Sequence, residues 1–193
     1  MKPLTQKDYA DAAKKLGCET AAIRAVAEVE SQGSGFLPDD SPKILFEGHQ
    51  FWRELEKQNI DPTMHRHGNE DILYPNWERG HYKGGIEEYE RLNKAVKINE
   101  EAAMRSASWG TFQIMGYHAE TLGFKDVFDF TFFIAQSERN NLMVFVRFIK
   151  KNGLTRYIQA LDWEGFAKRY NGPSYAKNEY DLKMDRAYKK YSA

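Results

Sequence analysis

Apolar residues recur along most of this chain at helical spacing, and polar, glycine-rich stretches separate the runs. Thr5 with Asp8 three residues on predicts a capped helix start, Tyr9, Ala12, Ala13 and Leu16 form one stripe, and Gly17 is placed to end it. A second helix is expected from about Thr20 to Ser31, with Ile23, Val26, Ala27 and Glu30 at i, i+3, i+4 and i+7 on its core-facing side and Glu28 turned to water. After the glycine-broken loop Gln32-Gly33-Ser34-Gly35-Phe36, Leu37 to Pro42 reads as a turn. Lys43 to Glu47 reads as an extended segment, with Ile44 and Phe46 on one side and Leu45 and Glu47 on the other. Further helices are expected at about His49 to Lys57, Ile86 to Ile98, and from Asn99 to before Gln113. Thr131 to Lys151 is expected as a central core helix carrying Leu142, Phe145, Val146 and Ile149 and ended by Gly153. Thr155 to Leu161, Asp162 to Tyr170 and Tyr175 to Tyr191 complete the set, the last with Tyr180, Met184, Ala187, Tyr188 and Tyr191 inward. The fold class is therefore mostly α with a small β or extended segment.

The stretch from Asn59 to Gly85 breaks the pattern. It is polar, holds Pro62, Gly68, Pro75, Gly80, Gly84 and Gly85, and is too long for an ordinary connector, so a lid or wall is expected, with Tyr74, Trp77 and Tyr82 as sugar platforms. Beyond it, Glu87 to Arg91 and Glu90 to Lys94 fall at i, i+4 on the expected wet side of a helix. No repeat or interdomain linker interrupts the chain, so its 193 residues are read as one domain.

Composition narrows the function. Lys plus Arg and Asp plus Glu each number 28, so no basic excess points to nucleic acid. The single cysteine, Cys18, excludes an intramolecular disulfide and reads as a small buried residue rather than a nucleophile. Met1 to Tyr9 lacks an apolar signal core, and no stretch has the length of a membrane span, so no stable membrane association is expected. His65, His67 and His81, with Glu70 and Asp71 nearby, lack a recognised ligand spacing, so neither a metal nor another cofactor is expected.

Glu30 is the candidate for chemistry. A carboxylate on the core stripe of a helix either finds partners or raises its pKa from about 4.3, and a carboxylic acid poised near 6 can protonate a leaving group. A helix-end glutamate that only hydrogen-bonds loop backbone is the plainer alternative. Glu30-Ser31 is followed by Ser106-Ala-Ser-Trp-Gly110-Thr-Phe-Gln113-Ile-Met-Gly116 and by Tyr170-Asn171-Gly172-Pro173. In order and type these resemble the signature of the lysozyme-like superfamily of goose-type lysozymes and lytic transglycosylases. Val29 to Phe36 together with Ile44-Leu-Phe-Glu-Gly-His49 resembles the N-acetylmuramidase domain of bacteriophage endolysins and prophages. The resemblance spans nearly the whole chain, and its specificity lies in the ordered combination.

The resemblance implies a lysozyme-like fold, with the extended segment beside an active-site cleft, and cleavage of the β-1,4 bond between N-acetylmuramic acid and N-acetylglucosamine in peptidoglycan. Glu30 would be the general acid. Glu47 matches the acidic position of Leu-Phe-Glu-Gly-His and is the second carboxylate expected, either to activate water at roughly 6.5 to 9.5 Å or to act as nucleophile at about 5 to 5.5 Å. Its alternative is a structural pairing with His49 or an arginine, and Asp39 and Asp40 are weaker candidates for its task. Gln113, Tyr170 and Asn171 match positions that border the catalytic glutamate and contact sugar, and Ser31 and Ser106 could hold Glu30 or an N-acetyl group. For Gln113 the alternative is pairing with backbone, and for the serines it is helix capping.

The chain departs from the transglycosylase pattern at Trp109-Gly110-Thr-Phe-Gln113 and at Gly172-Pro173. That departure and Glu47 favour hydrolysis over the alternative, a lytic transglycosylase that forms 1,6-anhydro ends and needs no second carboxylate. A noncatalytic wall-binding or phage structural domain is the third reading. The endolysin setting implies a monomer that accumulates in the host cytoplasm and reaches the wall after a holin opens the membrane.

Overall fold

The computed structural model describes residues 1–31, 33–173 and 175–193; Gln32 of the glycine-broken loop and Ser174, just past the Tyr-Asn-Gly turn, lie outside the described residues. In chain order the elements are α1 (Gln6–Leu16), α2 (Thr20–Glu30), β1 (Ile44–Phe46), α3 (Gly48–Lys57), α4 (Glu87–Val96), α5 (Glu100–Arg105), β2 (Ala107–Trp109), β3 (Ile114–Met115), α6 (Val127–Ile134), α7 (Glu138–Lys151), α8 (Thr155–Gln159), α9 (Trp163–Tyr170) and α10 (Tyr180–Ser192). The fold is mostly α with one small antiparallel sheet, as the hydrophobic pattern predicts. The described chain forms two compact units, one of residues 1–34 and 137–193, the other of residues 35–136.

The first unit is helical. Thr5 and Asp8 close a capping box on α1, and Gly17 ends it in the left-handed region at φ 65°. The α2 stripe is buried at Ile23, Val26 and Ala27, and α10 and α1 pack against this helix. Leu142, Phe145 and Phe166 add fully buried side chains, each worth about 1.5–3 kcal/mol of hydrophobic stabilisation.

Two expectations here need correction. Thr131 to Lys151 is not one helix, although Leu142, Phe145, Val146 and Ile149 share α7 and are buried as expected. Ser137 takes an extended backbone and its side chain accepts from the Asn140 N–H, so α6 stops at Ile134 and α7 starts at Glu138. The polar run Gln136-Ser-Glu-Arg-Asn-Asn141 separates the apolar residues of the two helices, and the Ser137 hydroxyl caps the second. The last helix begins at Tyr180, because Tyr175–Asn178 form a 3₁₀ turn and Glu179 sits at φ 51°. On α10 Met184 and Ala187 are buried, while Tyr180, Tyr188 and Tyr191 are only partly so.

The second unit is built on the sheet, in order β1-β2-β3. Ile44 pairs with Trp109 and Phe46 with Ala107, while Ser108 pairs with Met115. Alternation along β1 is as predicted, with Ile44 and Phe46 buried and Leu45 and Glu47 partly exposed. β2 and β3 are too short to register as sequence patterns and form because the turn between them closes on the start of β1.

The 59–85 segment is more than a polar cover. Ile72, Leu73 and Tyr74 are buried, and 3₁₀ turns at Pro62–His65 and Arg79–His81 shape the rest. Arg91, expected on the wet side of its helix, is 1% exposed and pairs with fully buried Glu88 at 2.8 Å rather than with Glu87. Lys94 pairs with Asp71 at 2.5 Å.

Candidate active site

In the first unit the site is Glu30 and the turn that follows α9. Glu30 is the last residue of α2, where the helix turns out of the core at Ser31, its C-cap. Asn171, the C-cap of α9, donates through Nδ2 to Glu30 Oε1 at 2.9 Å. Burial pushes the Glu30 carboxyl up to about 7, and the Asn171 hydrogen bond, which favours the charged form, opposes the rise. The group is thus substantially protonated near neutrality, as a general acid requires.

Tyr170 is boxed by three aromatic rings. Phe145 and Phe148 meet it edge-on at 5.7 and 5.8 Å, and Phe166 stacks on it at 5.5 Å. Burial raises the Tyr170 phenol far above its ordinary range, and a charged Glu30 raises it further, so it remains a neutral hydroxyl. The aromatic box fixes the end of α9 and with it the backbone that aims Asn171. Ser31 is partly buried, and its hydroxyl lies 3.4 Å from the Glu28 carbonyl.

In the second unit Glu47 stands at the junction of β1 and α3, with its backbone N–H on the Ser106 carbonyl at 3.0 Å. Its Oε2 accepts from the Tyr82 hydroxyl at 2.5 Å and lies 3.3 Å from His49 Nδ1. Burial holds the His49 imidazole below its ordinary pKa although the Glu47 carboxylate opposes this, so the contact joins a carboxylate to a neutral ring. Burial and the hydrogen bond to Glu47 both push the Tyr82 phenol up, and the Trp77 side chain in turn bonds the Tyr82 hydroxyl. Gly48 is dictated by space, since a Cβ there would lie 2.4 Å from the Tyr74 ring and 2.7 Å from the Ile72 carbonyl.

The frame around Glu47 is charged and buried. Glu88 accepts from the Phe46 N–H at 3.0 Å and from Lys83 and Gly84 N–H groups at 2.7 and 3.0 Å. Arg91 donates to the Phe46 carbonyl at 2.9 Å and to the Asp71 carbonyl at 3.0 Å. One ion pair therefore binds the residue preceding Glu47 to both ends of the 71–84 stretch. Hydrogen bonds to several backbone groups are what make such a pair tolerable in the interior.

Three expected sugar contacts prove to be internal. Ser106 is fully buried and its hydroxyl donates to the Ala102 carbonyl at 2.6 Å, so this serine fastens the end of α5 and presents no group to a sugar. The Gln113 amide donates to the Gly110 and Lys43 carbonyls at 2.8 and 3.3 Å and accepts from Ser108 at 2.9 Å. Gln113 itself is in the left-handed region at φ 47°, and its side chain locks the β2–β3 turn to the residue before β1. Tyr74 is 1% exposed and stacks on His81 at 4.3 Å, so it cannot serve as a sugar platform, whereas Trp77 is 61% exposed.

The remaining candidates have structural settings. Asp39 holds the 37–42 turn by accepting from the Ser41 N–H and hydroxyl at 3.0 and 2.6 Å. Asp40 has φ 63° in that turn. Burial raises the Cys18 thiol to about 11, against thiolate reactivity. His81 pairs with Glu78 at 2.9 Å, and among the described residues no group of three His, Cys, Asp or Glu is gathered as a metal cage.

Sequence reasoning missed the hold of Tyr82 on Glu47 and the Glu88–Arg91 frame. The Glu47-Gly-His49 spacing signalled the histidine contact. Nothing in the sequence signals a tyrosine 35 residues away.

Comparison with known proteins points to one family. The N-acetylmuramidase family model matches residues 19–192. The chain is similar to a Burkholderia AP3 phage endolysin of known crystal structure, with 40% identity and a TM-score of 0.93 over 100% of this chain and 73% of that one. No curated protein matches.

Proposed function

Because the chain belongs to the N-acetylmuramidase family, whose members cleave peptidoglycan, we propose that it is a phage or prophage endolysin domain that hydrolyses the β-1,4 bond between N-acetylmuramic acid and N-acetylglucosamine. The observation that carries this reading is Glu30, a carboxyl whose burial lifts its pKa to about 7 while Asn171 orients it. Protonated Glu30 gives its proton to the glycosidic oxygen as the bond to the anomeric carbon breaks. Glu47 takes a proton from the water that attacks that carbon. The charge developing on the departing oxygen is thereby neutralised, and Glu30 ends the step as the carboxylate that Asn171 stabilises.

The chain acts as one catalytic domain. Around Glu30, Ser31, Tyr170 and Asn171 set the acid and border the sugar. Around Glu47, Gln113 and Ser106 act through the backbone they hold, and exposed Trp77 supplies an apolar face for a pyranose ring. The protein works as a monomer on the cell wall, after synthesis in the host cytoplasm and release through a holin. Among the described residues no helix is long and apolar enough to cross a membrane.

Mass spectrometry of purified peptidoglycan digested by the protein tests the reaction. Reducible muramic-acid ends are expected. Anhydro ends instead would make the enzyme a lytic transglycosylase and remove the need for Glu47.

A further inference from the structure

Two side chains meet the same oxygen of Glu47. The Tyr82 hydroxyl donates to Oε2 at 2.5 Å, and His49 Nδ1 lies 3.3 Å from that atom. The other ring nitrogen of His49, Nε2, is 3.1 Å from Gln50 Nε2. An amide nitrogen only donates, so His49 Nε2 is the acceptor and the neutral ring carries its proton on Nδ1, the nitrogen nearer Glu47. Nδ1 is buried and makes no well-aligned hydrogen bond among the described residues, which leaves the Glu47 carboxylate as its nearest electrostatic partner. Tyr74 lies over both His49 and His81 and restricts how the His49 ring can turn.

The contacts are one-sided. Oε2 is engaged, and Oε1 is the oxygen that Tyr82 and His49 do not touch. A general base needs one oxygen held in aim at water, and a carboxylate free to rotate about its last bond would lose that aim. We propose that Tyr82 and His49 are positioning residues that clamp Oε2 of Glu47 and so dedicate Oε1 to the attacking water. The inference rests on Glu47 being the base of the reaction proposed above. The clamp moves no proton: the water proton passes to Oε1, Tyr82 keeps its own, and His49 keeps the one on Nδ1. It also gives the 59–85 segment a second task besides shaping a groove, because Tyr82 belongs to it.

The test is steady-state cleavage of soluble peptidoglycan fragments by Tyr82→Phe, His49→Leu and His49→Asn, each alone, and by Tyr82→Phe combined with Glu47→Gln. Tyr82→Phe keeps the ring and removes only the donor, so kcat should fall about 10- to 100-fold with KM within about twofold. His49→Asn, whose amide can stand in for Nδ1–H, should retain more kcat than His49→Leu. In the Glu47→Gln background Tyr82→Phe should cost nothing further, since its effect passes through the carboxylate. If Tyr82→Phe unfolds at a lower temperature than the wild type, the comparison of the two His49 variants carries the test. Wild-type kcat in both Tyr82→Phe and His49→Leu, with Glu47→Gln inactive, overturns the clamp and leaves Glu47 as base. An equal Tyr82→Phe loss with and without Glu47 also overturns it. Wild-type turnover by Glu47→Gln removes the base itself.

Discussion

Asn171 donates one amide hydrogen to Oε1 of Glu30 across 2.9 Å, joining the end of α9 to the end of α2. The bond favours the charged carboxylate, while burial favours the neutral acid and dominates. The two opposing effects set the pH at which Glu30 can still donate.

Asn171→Leu removes the donor and keeps the volume, so the Glu30 pKa should rise beyond about 7 by up to about one unit. The alkaline limb of kcat/KM against pH, where the acid is lost, should move upward by that amount. An unmoved or lowered limb would show that another group governs it.

Glu30 also links pH to stability. The folded protein binds its proton more tightly than the unfolded chain, so the favourable contribution is complete below the ordinary value of 4.5 and is lost as pH rises through about 7. Glu30→Gln stays neutral throughout. Its stability relative to wild type should therefore increase between about pH 5 and 8, by at most about 3 kcal/mol. Denaturant unfolding at several pH values measures this, and a difference that does not vary with pH would contradict the burial argument.

Gly48→Ala should harm both stability and turnover. The new methyl meets the Tyr74 ring and the Ile72 carbonyl at 2.4 and 2.7 Å, and relief must come from movement at the β1–α3 junction that carries Glu47. A cost of about 1–3 kcal/mol is expected together with a lower kcat. A thermal melt and an activity curve both matching the wild type would mean the junction has room that the structure does not show.

Arg91→Met leaves Glu88 buried without its cation. A loss of about 3–5 kcal/mol is expected, since the stranded carboxylate is not repaid by added apolar contact. Equilibrium unfolding of the variant checks it, and wild-type stability would show that the three backbone N–H groups suffice to hold Glu88.

Much of this was legible before any coordinates. The α2 stripe placed Glu30 on the core-facing side of its helix because helical periodicity is a local property, and the alternation of Ile44 and Phe46 with Leu45 and Glu47 likewise needed no tertiary knowledge. The break at Ser137 had a local signal in the polar run Gln136 to Asn141 and its capping hydroxyl, but the apolar residues on either side were read as one helix. Arg91 was misplaced on the wet side because i, i+4 charge pairing looks the same whether a helix face is wet or dry. Burial of the Glu88–Arg91 pair depends on carbonyls from Phe46 and Asp71, which are 45 and 20 residues away. Gln113 was expected at sugar because of its motif, and the structure spends its amide on the carbonyls that turn β2 into β3.

The most direct measurement is release of soluble muropeptides from purified peptidoglycan by Glu30→Gln beside the wild type, with melting curves on both. Loss of the general acid predicts a fall of about 10²- to 10⁴-fold in kcat with the fold intact. Wild-type release by a folded Glu30→Gln protein would contradict the account at its centre.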